Sequence, residues 1–123
     1  MKNLLAILLA AFTMPVFAQT NAVSFSVQKH GFGKIHQGKP VTTEFAFTNN
    51  TDKPVVIESA TAECGCTKPE YPEQPILKGK TGIIKVTYNA ANAGTFTKKV
   101  TIKFANIAEP VILTIDGEVL KKD

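Results

Sequence analysis

The chain has 123 residues, 44% of them hydrophobic, with 14 basic residues against 10 acidic ones and a formal net charge of +4. That length allows one ordinary domain and no second. Every basic residue is lysine; without arginine the chain lacks the bidentate fork favoured by phosphate and base-edge recognition. The lysines are also dispersed among strand segments, so no nucleic-acid partner is expected, and the positive balance suits a small soluble domain.

At the N-terminus Lys2 precedes an apolar run from Leu4 to Phe12, and Val16 and Ala18 occupy the positions a signal peptidase reads. Residues 1–18 are therefore expected to be a secretory signal peptide. The run is well short of the roughly 20 residues a membrane span needs, so no span is expected after processing. No cysteine follows the cleavage site to carry a lipid anchor. Residues 19–123 form the expected mature chain, a single periplasmic or secreted domain. Met1, Met14 and Lys2 leave with the signal, which removes all thioethers and leaves 14 − 1 = 13 lysines against 10 acids.

Along the mature chain, strand signals dominate and helix signals are nearly absent. Val23–Val27 alternates apolar and polar residues. Val41–Thr48 alternates again, with Val41, Phe45 and Phe47 on one face, and ends in the turn-forming run Asn49–Pro54. Pro54–Ala60 resumes an extended, β-branched pattern. Ile83–Tyr88 points Ile84, Val86 and Tyr88 inward; Phe96–Phe104 points Val100, Ile102 and Phe104 inward and Lys99 and Lys103 outward. Val111–Val119 supplies the last strand. Turn material separates them at 78–82, 89–94 and 106–110. Gly31-Phe32-Gly33 lacks the third glycine and following helix of a nucleotide loop and reads as a turn. Pro69–Pro75, with Tyr71 and Pro72, is extended but unfit for a central ladder; it is expected to cross between sheets, with Tyr71 a possible partner contact.

Short alternating strands without helices indicate an all-β fold, an immunoglobulin-like antiparallel β-sandwich of about seven strands. Phe25, Phe45, Phe47, Phe96 and Phe104 read as its core. The antibody-type tryptophan and long-range disulfide are missing: the chain has no Trp, and its two cysteines are Cys64 and Cys66.

The order Phe32-Gly33-Lys34-Ile35, Gly38, Phe45–Asn50, Cys64-Gly65-Cys66-Thr67, Pro75-Ile76, Gly79, Gly82–Tyr88, Gly94-Thr95-Phe96 and Ile115–Val119 resembles one known pattern. It is that of a family of secreted bacterial domains known as the domain of unknown function numbered 1573. The likeness covers about residues 30–120, and Cys-Gly-Cys-Thr is its most specific part. The resemblance implies an immunoglobulin-like fold related to domains of cilium and sperm proteins, and no activity. Lys78-Gly79-Lys80 departs from the Pro-Gly-Glu frequent at that place in the family.

Cys64 and Cys66 admit three readings. In an exported protein they are first a disulfide. Two residues apart on a straight strand, their Cα atoms lie about 6.6 Å apart, at the upper edge of the bonding range, so the chain must tighten locally, and Gly65 permits this. A loop so short contributes only about 1.6 kcal/mol on the chain-entropy formula, and a ring so small is expected to open more readily than a structural disulfide. Second, the pair could bind a soft ion such as Cu(I), with His30 and His36 as further candidate ligands. The loss of both methionines weakens this, and isolated histidines are usually surface or turn residues. Third, a catalytic thiol would need an adjacent base; Glu63 disfavours thiolate and Lys68 favours it only weakly. No Ser-His-Asp order, paired-carboxylate pattern or phosphate loop accompanies them, so neither enzyme activity nor a cofactor is expected. The leading expectation is an exported interaction module of the cell envelope with a protein partner, and the runner-up a thiol-based metal or redox protein using Cys64 and Cys66.

Overall fold

The computed structural model describes residues 22–123; the expected signal peptide lies outside them. Among these residues the chain is all β, and two sheets pack face to face. The first holds β1 (Val23–Phe25), β3 (Val41–Asn49), β6 (Thr81–Tyr88) and β5 (Thr67–Glu70), in the order β1-β3-β6-β5. The second holds β2 (Lys29–His36), β8 (Val111–Leu120), β7 (Gly94–Phe104) and β4 (Ile57–Ala62), in the order β2-β8-β7-β4. The strands among the described residues number eight because the N-terminal edge is shared: β1 pairs with β3 in one sheet, then the chain crosses to the other. β2 runs on in the same sense beside β8 and forms the parallel pair of the sandwich, the remaining ladders being antiparallel.

Period-2 patterning explains why these segments pair as they do. Phe45 and Phe47 of β3, Ile84 and Val86 of β6, Val100, Ile102 and Phe104 of β7, and Leu113, Ile115 and Val119 of β8 all bury their side chains between the sheets. The rings of Phe25, Phe47 and Phe104 form a cluster with centroids 5.4, 5.5 and 6.4 Å apart. Such side chains each contribute about 1.5–3 kcal/mol through burial. Outward positions carry polar pairs: the Thr42 and Thr87 hydroxyls lie 2.8 Å apart, and Glu44 stands opposite Lys85. Gly82, opposite Phe47, has no side chain because a Cβ there would run into the Phe47 ring.

Three local expectations are corrected. Gly31-Phe32-Gly33 is not a turn. It lies inside β2, where the register with β8 shifts between Gly31 and Lys34. This bulge puts Gly33 at φ +70° and brings its carbonyl over Gly117, where a Cβ would approach that oxygen to 2.8 Å. Glycine is thus required on both strands for the backbones to meet. The Pro54–Ala60 strand begins later, at Ile57, with Val55 bridged separately to Ile76. The chain does not cross between sheets at Pro69–Pro75. It crosses at the cysteines, and Thr67–Glu70 is already the edge strand β5. Pro69 is tolerated there because the position it occupies faces away from β6, where a missing N–H breaks no ladder bond.

Candidate functional site

β4 belongs to the second sheet and β5 to the first, so the residues between them must turn a corner around the end of the core. That corner is Glu63-Cys64-Gly65-Cys66. Cys64 and Cys66 are joined by a disulfide, with Cα atoms 5.3 Å apart. Both are half-buried and Gly65 is exposed. Cys66 packs against the apolar core and Cys64 does not. Gly65 does not adopt the left-handed backbone, and nothing lies within 4 Å of where its Cβ would stand. The tightening from a straight strand therefore comes from the corner itself and does not depend on glycine.

Hydrogen bonds pin each side of the corner independently of the sulfurs. The Glu63 N–H donates to the Lys99 carbonyl at 3.3 Å, and the Lys99 N–H donates to Glu63 Oε1 at 2.5 Å. The carboxylate expected to bear on the thiols is thus engaged with the β7 backbone. On the other side the Asn89 N–H donates to the Cys66 carbonyl at 2.9 Å, extending the β5–β6 ladder, and the Thr67 N–H closes the turn on the Cys64 carbonyl at 3.4 Å. Thr67 is buried, and its hydroxyl lies 3.7 Å from Cys66 Sγ and 3.9 Å from Cys64 Sγ. Beneath it Tyr88, opposite Thr67, stacks on Phe96 at 3.9 Å.

The histidines do not join this corner. His30 and His36 both lie on β2, at the far edge of the second sheet, with β8 and β7 between them and β4. Three strand spacings separate the two edges, about 14 Å. His30 instead packs edge-on against Phe32, centroids 4.7 Å apart, and His36 is exposed. No group of three or more His, Cys, Asp or Glu side chains suited to a metal ion occurs among the described residues. Tyr71 is half-buried and packs against the core.

One feature beside the corner escaped the sequence reading. β4 pairs with β7 only as far as Ala62 opposite Val100, and then Glu63 reaches Lys99. β7 itself runs on to Gly94, still paired with β8. Lys99 directs its N–H and C=O toward β4, so strand alternation aims those of Thr97 and Thr95 the same way. Among the described residues no strand lies beside them on that side. Both residues are exposed. Nothing in the local sequence marks this overhang, because it depends on where β4 turns away.

Comparison with known proteins places the fold. The seventh PapD-like domain of human CEP192 superposes with a TM-score of 0.71 at 6% identity, covering 83% of this chain and 87% of that one. A protein of unknown function from Porphyromonas gingivalis W83 gives 0.69 at 12% identity over 80% of this chain; the chain spans 46% of that protein's length. The YadV chaperone gives 0.58 at 12% identity, covering 84% and 55%. At these identities the likeness is one of fold, a β-sandwich of the immunoglobulin and PapD type. Among curated proteins none matches the sequence. A family profile does match, over residues 23–119, and with nearly the whole sandwich and its cysteine corner inside that match the chain belongs to the family described as "Protein of unknown function (DUF1573)".

Proposed function

We propose that this chain is an exported binding module of the cell envelope, without catalysis, which receives an extended segment of a partner protein along the open edge of β7. The observation that carries the reading is the overhang: Thr95 and Thr97 present strand hydrogen-bonding groups to a side where, among the described residues, no neighbouring strand lies. An added strand would gain main-chain hydrogen bonds there, the means by which many sandwiches take up peptides. The other edge at the same corner, β5, carries Pro69 and is poorly suited to pairing. Export is supported by the N-terminal signal pattern, and the periplasm or the extracellular space is the proposed location.

The test uses a photo-crosslinking residue at Thr95 in the full-length protein expressed in cells. A discrete partner adduct should form there and should be absent when the same group replaces Lys85, on the outer face of the first sheet. Thr97→Pro should abolish the adduct while leaving the melting temperature close to that of the parent, since the Thr97 N–H takes no part in pairing with β8. Equal crosslinking from both positions, or an adduct that survives Thr97→Pro, would overturn the assignment.

A further inference from the structure

We infer that Cys64–Cys66 is a thiol–disulfide exchange site that accepts two electrons from an external dithiol while the domain stays folded. Three observations combine. First, the bond sits at a corner where Gly65 is exposed and both cysteines are partly accessible. Second, the backbone on each side is held without it. Glu63 is bonded to Lys99 of β7 and Cys66 to Asn89, so opening the bond does not release β4 or β5. The two sulfurs then remain neighbours, on Cα atoms 5.3 Å apart, poised to close again. Third, a buried hydroxyl, Thr67 Oγ1, stands within 4 Å of both sulfurs, where it can donate to a thiolate. A disulfide that served only to staple the corner has no use for such a donor or for exposure.

The two cysteines are not equivalent. Cys66 packs against the core and Cys64 lies outside it, so an incoming thiolate meets Cys64 Sγ. The new bond forms between donor sulfur and Cys64 Sγ as the Sγ–Sγ bond breaks, and its electron pair leaves on Cys66. That thiolate is stabilised by the Thr67 hydroxyl until it takes a proton from water. The donor's second thiolate then attacks the donor sulfur of the mixed disulfide and expels Cys64 as thiolate, which is protonated in turn. The donor ends as its own disulfide, oxidised by two electrons, and the Cys64/Cys66 pair ends as two thiols. Thr67 is a positioning residue here, acting through the leaving sulfur.

The reading is independent of strand addition, and Thr97→Pro should exchange at the parental rate. The experiment exposes the folded, air-oxidised protein to dithiothreitol without denaturant, with alkylation and intact mass at intervals. Complete reduction is expected with the cooperative melt retained, and reoxidation on removal of the dithiol. Thr67→Val should slow reduction about tenfold or more, the worth of a hydrogen bond to a charged group, and Thr67→Ser should restore it. With glutathione, acid-quenched mixed disulfide should map to Cys64. A bond that resists dithiothreitol until the protein unfolds overturns the proposal, as does an unchanged rate in a folded Thr67→Val. An adduct confined to Cys66 overturns the order of attack. If Thr67→Val is itself unfolded, the wild-type reduction and the site of the glutathione adduct decide the matter alone.

Discussion

The chain passes between the two sheets on each side of β4, and the two passages are held in opposite ways. Where β3 leads into β4, the fastening is a buried asparagine. Asn49 Nδ2 donates to the carbonyls of Lys53 and Ile76 at 2.8 and 2.9 Å, and its Oδ1 accepts from the N–H and hydroxyl of Thr51 at 2.8 and 2.6 Å. Its own backbone bonds Lys80 and Gly79, so one residue ties the β3–β4 loop to the segment before β6. Where β4 leads into β5, the fastening is a covalent bond near solvent, flanked by hydrogen bonds that hold the corner in any case. The asparagine network is costly to break because the Asn49 amide is buried and loses its partners where water cannot replace them. A bond closing a three-residue loop restrains little that the unfolded chain was free to do. The weaker-looking passage is therefore the structural one, and the covalent one is free to serve chemistry.

The largest loss is expected in the core beneath the first passage. Phe47→Ala removes a ring that is 1% exposed and touches both Phe25 and Phe104, and should cost about 3–5 kcal/mol in urea unfolding. A loss near zero would mean that β3 faces the other way. Asn49→Ala is next. It removes four hydrogen bonds made by a buried amide, and at about 0.5–1.5 kcal/mol for each it should destabilise more than loss of the disulfide does. If calorimetry finds the reverse order, the contrast between the passages fails.

Replacing Cys64 and Cys66 together by serine should lower stability by no more than about 1.6 kcal/mol and leave a cooperative transition. A variant unfolded at room temperature would make the corner structural after all. The smallest effect is expected at Lys103→Ala. Its ion pair with Glu58, 3.9 Å long and more than half exposed on both sides, should be worth under about 1 kcal/mol. A larger loss by chemical denaturation would show that the outer face of β4 and β7 holds the entry into β4 more firmly than its contacts suggest.

Much of the scaffold was legible from pattern alone. β3, β6, β7 and β8 each carry three or more inward apolar residues at period 2, and that periodicity is a property of the strand itself. The segments read less well were those whose state depends on a neighbour. Gly31-Phe32-Gly33 carries turn residues, yet β8 offers it a parallel ladder and Gly117 leaves room for its bulge. Thr67–Glu70 contains a proline, yet an edge position makes the missing N–H harmless. Asn49 read as the first residue of a turn, although its side chain is almost fully buried.

For the site, the sequence puts two thiols within bonding reach, because a chain of three residues cannot hold them far apart. It determines nothing about what stands around them. Strand pairing between distant segments makes the corner switch sheets, sets His30 and His36 across two strands from it, and buries the Thr67 hydroxyl against both sulfurs. The open edge of β7 has the same origin. Thr95 and Thr97 are exposed because β4 ends before β7 does. Strand lengths are matched or mismatched only when distant segments of the chain are laid side by side.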